Sequence, residues 1–145
     1  MSSYHIQTGY ENMDLKAIHR YLSGESYWAK GIPKETVEQA LRHSFCVGVF
    51  FGSEQVGFAR LITDYTTFAY LADVYILEAH RGKGLSKMLM QYLMNLDWTQ
   101  KLRRMMLVTL DAHSLYSGFG FHTPEFPERV MERRGIKTYS DPEEV

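Results

Sequence analysis

The sequence contains a single cysteine and no long apolar run. Cys46 is the only cysteine among the 145 residues, so no disulfide can form within one chain. It lies in the apolar stretch SFCVGVFF, which favours a small buried side chain over a reactive thiol. No stretch approaches the roughly 18 consecutive apolar residues of a membrane span, and the amino-terminal residues MSSYHIQTGY lack the apolar core of a secretory signal. These absences favour a cytoplasmic protein with no membrane partner.

A surplus of charge of either sign is also missing. The chain carries 16 basic and 17 acidic residues, a formal net charge of -1. Because nucleic-acid affinity depends on a large cationic surplus, this balance argues against a nucleic-acid partner. The histidines lack the spacing and the neighbouring ligands of a metal site, so no metal is predicted. They are His5, His19, His43, His80, His113 and His122.

Linkers, internal repeats and low-complexity tracts are absent as well. Hydrophobic residues make up 45% of the chain and charged residues 23%, close to the average of globular proteins. A chain of this length can bury a core without disulfides or a structural metal. We therefore expect residues 1–145 to form a single domain.

The first half of the chain alternates between strand and helix patterns. Residues 3–8, SYHIQT, alternate in polarity as a strand does. Asn12 suits the N-cap of a helix in MDLKAIHRYL, and Pro33 suits the first turn of a second helix in KETVEQALRHS. The β-rich runs SFCVGVFFG and QVGFARLITD are separated by the turn residues Gly52 and Ser53, which predicts a hairpin.

The second half begins with TFAYLADVYIL, a run that is apolar on both faces and typical of a central strand. Its one charged residue is Asp73. Apolar residues then recur at helical spacing from Leu85 to Leu96. RRMMLVTL predicts a further strand, AHSLYSGFG a short helix and PERVMERRG a last strand. The order β-α-α-β-β-β-α-β-α-β predicts an α/β fold with a mixed sheet, in which the strands before and after the long helix are parallel.

Between the central strand and the long helix lies RGKGLS, a turn with two glycines and cationic neighbours. The first amides of a helix are unpaired and lie at the positive end of its dipole, so they can bind an anion. Gly82 and Gly84 allow the backbone to curl tightly, while Arg81, Lys83 and Lys87 add positive charge. Phosphate is the expected ligand. The alternative is that the glycines only make a tight connection.

Two common phosphate-binding motifs do not match this turn. A P-loop, G-x-x-x-x-G-K-[ST], needs a Lys-Ser or Lys-Thr pair after its second glycine, and GKGLSK has none at that spacing. A dinucleotide fingerprint, G-x-G-x-x-G, needs its third glycine at position 87, which is lysine. The P-loop motif therefore fails, and the match to the dinucleotide fingerprint is weak.

The turn resembles the pyrophosphate-binding motif of the GCN5-related N-acetyltransferases (GNAT), [QR]-x-x-G-x-[GA]. Arg81 and Gly84 occupy the first and fourth positions, and Ser86 stands where the motif has glycine or alanine. DAHSLYSGFGF is similar to the second signature of that family, with Ala112, Tyr116 and a Gly-Phe pair. The resemblance covers nearly the whole chain. It implies the family's fold, a mixed, mostly antiparallel central sheet flanked by helices.

The resemblance also implies that the chain binds acetyl-CoA and passes the acetyl group directly to an amine. Backbone groups of Val74 and Ile76 would pair with the pantetheine arm, and the amides of Arg81 to Ser86 would bind the pyrophosphate. Thr109 stands where the family often has a cofactor-contacting asparagine. The residues implied in cofactor binding are Val74, Tyr75, Ile76, Arg81, Gly82, Lys83, Gly84, Leu85, Ser86, Thr109, Ala112 and Tyr116.

By the same resemblance, Tyr116 is the general acid that protonates the departing thiolate, and the amide of Val74 polarises the thioester carbonyl. Many relatives carry a glutamate where this chain has Ala72, so Asp73 is the remaining candidate for a catalytic carboxylate. A charge in so apolar a strand needs a partner, and Asp73 is equally suited to a structural ion pair. In that case His113 or a water chain would serve as the base.

In the family, the acceptor is held by the segment between the first two helices and by loops around the central strands. Here these segments are GESYWAKG and TDYTTFAY, whose aromatic residues Tyr27, Trp28, Tyr65 and Tyr70 are expected to line the acceptor site. The implied acceptor is a primary amine of a small molecule or a peptide. A catalytically silent CoA-binding module is the alternative function, and a homodimer is left open.

Overall fold

The structure, a computed structural model, describes residues 3–136 and 138–139. The sheet has the strand order β1-β2-β3-β4-β5, with every neighbouring pair antiparallel except the parallel pair β4–β5. Its strands are β1 Tyr4–Thr8, β2 Phe45–Phe51, β3 Glu54–Thr63, β4 Phe68–Ile76 and β5 Arg104–Met106. The predicted hairpin is β2–β3, and the predicted parallel pair flanks the long helix, so both predictions are confirmed.

Helices cover the two faces of the sheet. α1 and α2 pack on one face and α3 on the other, and each face buries its own apolar cluster. The helices of the described chain are α1 Leu15–Gly24, α2 Lys34–Arg42, α3 Leu85–Met94, α4 Asp97–Gln100 and α5 His113–Ser117. Within the described ranges, none of the helices has the length and apolar character of a membrane span.

The predicted cap of α1 is wrong by two residues. The Asp14 carboxylate accepts a hydrogen bond from the Ala17 amide at 3.1 Å and caps the helix. Asn12 instead lies in a 3₁₀ turn and donates from its side chain to the Thr8 carbonyl at 2.9 Å. The carboxylate is the better cap because its negative charge lies at the positive end of the helix dipole.

The last predicted strand does not form. Pro127–Arg129 is a 3₁₀ turn, and residues 130–135 carry no strand and are exposed. PERVMERRG buries no apolar face there, and a strand without a paired neighbour is not stable by itself. The strand predicted in RRMMLVTL is also shorter than expected and is confined to the three residues of β5.

Two apolar clusters stabilise the sheet. Cys46 is fully buried in the cluster beneath α1 and α2, and burial raises the pKa of its thiol to about 12. The prediction that Cys46 is a small buried side chain is therefore confirmed. The cluster beneath α3 is the larger, and its fully buried members include Val47, Val49, Val56, Leu61, Leu89, Met90 and Leu93.

A β-bulge interrupts β4. Asp73 and Val74 both lie opposite Ala59 of β3, so β4 carries one extra residue there. Asp73 has φ 57°, in the left-handed region that costs a non-glycine residue about 1–2 kcal/mol. The extra residue reverses the alternation of the strand. Leu71 packs toward α3 before the bulge and Val74 does so after it, while Tyr75 packs toward α1.

The turn between β3 and β4 is organised by one carboxylate. Asp64 accepts hydrogen bonds from the amides of Thr66, Thr67 and Phe68 at 3.0, 2.8 and 3.2 Å, and from the Thr67 hydroxyl at 2.6 Å. The Thr67 hydroxyl and amide, followed by the Thr66 amide, hold the pKa of Asp64 well below its usual range. These bonds satisfy backbone donors that the turn would otherwise leave to water.

Asp64→Ala should therefore lower the melting temperature in a pH-dependent way. The folded-state pKa is lowered, so the stabilisation is present above 3.8, the ordinary pKa of aspartate, and is lost as the pH falls further. The difference in melting temperature between wild type and Asp64→Ala should thus be full at pH 7 and narrow below pH 3.8. Asp64→Asn keeps one acceptor oxygen, so its deficit should be smaller at pH 7, and it should also narrow in acid because only the wild-type side chain titrates. If the difference in melting temperature between wild type and Asp64→Ala stayed the same in acid, Asp64 would not stabilise the turn through its charged form.

Candidate active site

The turn between β4 and α3 presents six consecutive free amides. The first backbone bond of α3 runs from the Met88 amide to the Gly84 carbonyl at 3.0 Å, and no described residue accepts a hydrogen bond from the amides of Gly82 to Lys87. Gly82 and Gly84 both have φ 77°. Left-handed residues at alternating positions turn successive N–H groups toward one concave side, which forms an anion-binding nest. The sequence prediction of an anion site in this turn thus acquires a geometric basis.

Two lysine side chains beside this nest are available to bind an anionic ligand. Lys83 and Lys87 are exposed, and neither forms an ion pair with a described residue. The Leu85 side chain is 5% exposed and packs in the α3 cluster, so only its amide faces the nest. An added Cβ at Gly84 would meet nothing within 4 Å, which shows open space beside the amides.

Arg81 differs from the expectation. Its amide donates to the Glu78 carbonyl at 3.2 Å, and its guanidinium donates to the Ile76 carbonyl at 2.8 Å and to the Tyr21 hydroxyl at 3.2 Å. These contacts fasten the end of β4 to α1 and the turn. The free amides therefore run from Gly82 to Lys87, and not from Arg81 to Ser86 as the sequence suggested.

β5 is the edge strand of the sheet and pairs with only the first part of β4. Their pairing ends at Tyr70 and Met106, and beyond these residues no described strand covers the edge of β4 that faces β5. The bulge at Asp73 and Val74 lies on this open stretch. The parting leaves backbone groups available to a ligand laid along β4, in the manner of an added strand.

A cavity of about 820 Å³ opens along β5 and is bounded by α5 and the loop that follows it. Thr109 lies at its edge, and the Thr109 hydroxyl accepts a hydrogen bond from the Ala112 amide at 3.0 Å, which fixes the start of α5. Residues lining the cavity include Met94, Leu102, Met105, Thr109, His113 and Tyr116.

Tyr116 lies on α5 with its side chain 8% exposed, and its ring packs edge-on to Phe121 at 6.1 Å between centroids. Its hydroxyl has no hydrogen-bond partner among the described residues and is not sealed from solvent. Burial, and to a smaller degree the nearby Tyr27 phenol, raises the pKa of Tyr116. A buried tyrosine with a free hydroxyl thus faces the cavity in its protonated form.

The Asp73 carboxylate is engaged at both oxygens. Oδ2 accepts from Arg60 Nε at 2.7 Å in an ion pair, and Oδ1 accepts from Trp28 Nε1 at 2.7 Å. The partner that an isolated charge on β4 requires is therefore an arginine on the adjacent strand. This leaves the structural alternative well supported, while the catalytic role of Asp73 stays a prediction.

The aromatic residues expected around the acceptor divide into two groups. Tyr27 and Trp28 contact each other edge to face at 5.1 Å, and Trp28 reaches the bulge through Asp73. Tyr70 lies on β4 near the point where β4 and β5 part. Tyr65 lies in the turn between β3 and β4, where its ring packs on Trp98 at 4.7 Å between centroids. Among the described residues, its ring makes no ring contact with the other three.

Arg60 is the residue that sequence reasoning missed. A usable signal was present, because Arg60 is the one cation of its apolar strand and Asp73 the one anion of the next strand. Opposite charges in neighbouring buried strands are expected to pair.

Among the described residues, no group of three histidine, cysteine or acidic side chains is arranged to hold a metal.

Comparisons with known proteins agree with this geometry. The family model described as "Acetyltransferase (GNAT) family" matches residues 15–121. A Gibberella zeae protein named for an expected acetyltransferase activity is 35% identical over 133 residues, which cover 78% of this chain and 75% of that protein.

Solved structures show the same fold. The crystal structure of a protein from Xanthomonas campestris pv. campestris, described as belonging to the GNAT family, has a TM-score of 0.93 at 48% identity and covers 97% of this chain and 99% of its own. A protein from Clostridium acetobutylicum, solved with acetyl-CoA, has a TM-score of 0.68 at 13% identity, with 90% of this chain and 96% of that chain covered. At that identity the second likeness concerns the fold alone. The chain belongs to the GNAT family of acetyltransferases.

Proposed function

We propose that the chain transfers the acetyl group of acetyl-CoA directly to a primary amine of a small molecule or a peptide. The observation that carries this proposal is the row of free amides from Gly82 to Lys87 at the end of the strand whose edge is left open beside β5. A diphosphate at the amides and a pantetheine arm along β4 would bring the thioester to the bulge. The protein of the same fold from Clostridium acetobutylicum, solved with acetyl-CoA, supports this choice of acyl donor.

Recognition of the donor would fall to backbone groups and to two lysines. Each charge-assisted hydrogen bond from an amide to a phosphate oxygen contributes about 1.5–3 kcal/mol, so a few of them account for micromolar binding. Lys83 and Lys87 are placed to add longer-range attraction. Arg81 would act indirectly, by holding the end of β4 against α1.

Two groups would assist acyl transfer, the Val74 amide at the bulge and the Tyr116 hydroxyl on α5. The Val74 amide lies on the bulge and would stabilise the negative charge that develops on the thioester oxygen when the amine nitrogen attacks the carbonyl carbon. As the carbon–sulfur bond breaks, the Tyr116 hydroxyl would give its proton to the sulfur. Because burial raises the pKa of Tyr116, its proton is retained across the neutral range. Water or His113 would take the proton that the amine releases.

The proposal predicts thiol release from acetyl-CoA when an amine is present. A panel of small-molecule and peptide primary amines, followed with a thiol reagent, should identify acceptors above the hydrolysis background. The protein's own thiol does not interfere, since Cys46 is fully buried.

The pH profile of kcat provides a separate prediction. With the best acceptor, kcat should not decline in alkaline solution until the pH exceeds 10.0, the ordinary pKa of tyrosine, because the protonated form of Tyr116 is the active one.

The same assay separates the two functional classes. A catalytically silent module would bind CoA, detected as a raised melting temperature, yet release no thiol with any amine. The place of Tyr116 in the lining of the cavity favours the transferase, because its hydroxyl is open to a ligand there and is not held by another described residue.

A further inference from the structure

We propose that Asp73 is a positioning residue, which holds the Trp28 indole as a fixed wall of the acceptor site and does not accept the proton of the reaction. The inference rests on the proposed function above. It assigns Trp28 to the acceptor and takes Asp73 out of the proton path.

The contacts of Asp73 leave neither carboxylate oxygen free. Oδ2 is 2.7 Å from Arg60 Nε, and Oδ1 is 2.7 Å from Trp28 Nε1. The two ion-paired side chains are 16% exposed for Arg60 and 11% exposed for Asp73. Protonation of Asp73 would remove the negative charge that strengthens both short bonds and would leave the mostly buried guanidinium of Arg60 without its counter-charge.

The bonds continue beyond this pair into α2. Arg60 Nη1 donates to the Ser44 hydroxyl at 3.0 Å, and the Ser44 hydroxyl donates to the Ala40 carbonyl at 2.7 Å near the end of α2. The chain of bonds therefore joins the end of α2, two strands and the segment between α1 and α2. Networks of this kind fix the positions of all their members together.

The backbone at Asp73 is consistent with this role. Its left-handed φ of 57° is unfavourable for aspartate and is maintained in the bulge where the side chain is fastened from two sides. Strain of this kind is common where a protein aims a group at a ligand. The residue that follows is Val74, whose amide is the proposed donor to the thioester oxygen. Asp73 thus ties the Trp28 ring to the part of the backbone that carries this amide.

Trp28 is suited to contact an acceptor. Its side chain is 41% exposed although its N–H is bonded inward, and its ring meets that of Tyr27 edge to face at 5.1 Å. An indole held at its N–H presents a fixed aromatic face, which binds apolar groups and the cationic form of an amine. The bond to Asp73 sets the orientation of that face.

The first test compares Trp28→Phe and Asp73→Asn with the best amine from the thiol-release panel. Trp28→Phe keeps an aromatic ring but loses the N–H, and should raise the acceptor KM about tenfold, as expected for a lost hydrogen bond to a charged group, with kcat within about threefold. Asp73→Asn keeps a carbonyl oxygen for the indole, so kcat should fall less than tenfold and its dependence on acidic pH should persist. The KM for acetyl-CoA should not change in either variant.

Trp98→Phe is the matched control, because that indole packs on Phe45 and Tyr65 away from the bulge. It should leave the acceptor KM unchanged. The proposal is overturned if Asp73→Asn lowers kcat 100-fold or more and removes the acidic limb of the pH profile while Trp28→Phe behaves as wild type. That pattern would identify Asp73 as the base.

A second measurement does not depend on activity. In the ¹⁵N-labelled Trp98→Phe protein, one indole N–H resonance remains, that of Trp28. Asp73→Ala in this background should move that resonance toward the position of a free indole and speed its exchange with water, while circular dichroism stays native. An unmoved resonance would refute the bond and with it the positioning role. If the protein acetylates no amine but the resonance moves as expected, the transferase proposal fails while the Asp73–Trp28 bond stands.

Discussion

Gly84→Glu should lower the affinity for CoA about 100-fold or more while the protein stays folded. At Gly84 a new side chain would point into open space beside the free amides, where the diphosphate is expected. A carboxylate there would compete for the amides and repel the phosphates, and losing one or two charge-assisted bonds already accounts for about 3 kcal/mol. Isothermal titration with CoA measures the loss directly.

Gly52→Glu is the matched control for backbone strain. Gly52 has φ 61° in the β2–β3 turn, and a Cβ there also meets nothing within 4 Å. Both substitutions place glutamate at a left-handed glycine and should lower stability by a similar amount, about 1–2 kcal/mol. Only Gly84→Glu should lose CoA binding. Equal affinity in the two variants would show that the diphosphate binds elsewhere.

Tyr116→Phe should lower kcat about 100-fold or more with little change in CoA affinity. The substitution removes only the hydroxyl, so the ring keeps its contact with Phe121 and α5 keeps its place. Without the acid, the sulfur would leave as an unprotonated thiolate, and general acids typically contribute about 10²–10⁴-fold to rate. The measurement is kcat for thiol release with a saturating amine.

Tyr92→Phe is the comparison variant, since that tyrosine lies on α3 with 37% of its side chain exposed. It loses the same atom and should keep full activity. Should Tyr116→Phe turn over as fast as Tyr92→Phe, another group protonates the leaving thiolate. In that case Tyr116 is only a core residue.

The elements that sequence reasoning placed well are those with a strong local signal. α3 follows a glycine turn and repeats apolar residues at helical spacing, and its first turn begins at Leu85 as expected. The hairpin was visible because Gly52 and Ser53 separate two β-rich runs. In each case the pattern that buries the residues is the pattern that selects the backbone conformation, so local and tertiary preferences agree.

The site was only partly visible, because its details depend on contacts between distant residues. The nest could be anticipated from Gly82 and Gly84, which need positive φ. The structural role of Arg81 could not be anticipated, because its guanidinium donates a hydrogen bond to Tyr21, sixty positions earlier in the chain. The bulge at Asp73 was hidden for a similar reason: an extra residue shows only when the register against β3 is known.

The last predicted strand fails for a physical reason. PERVMERRG has residues that suit a strand, but no neighbouring edge pairs with it in the described chain, and pairing decides whether a strand forms. The acceptor role of Tyr65 stays a prediction. The packing of its ring on Trp98 depends on a contact between distant residues, which the sequence alone does not show.

The proposed function requires the amides of Gly82 to Lys87 to bind the diphosphate of CoA. The most direct test is a titration of the ¹⁵N-labelled protein followed by amide chemical shifts, once with CoA and once with pantetheine, which lacks the diphosphate. CoA should produce its largest shifts at these six amides, and pantetheine should leave them in place while shifting residues along β4. If saturation with CoA left the six amides unshifted, the diphosphate would bind elsewhere and the proposed cofactor site would be wrong.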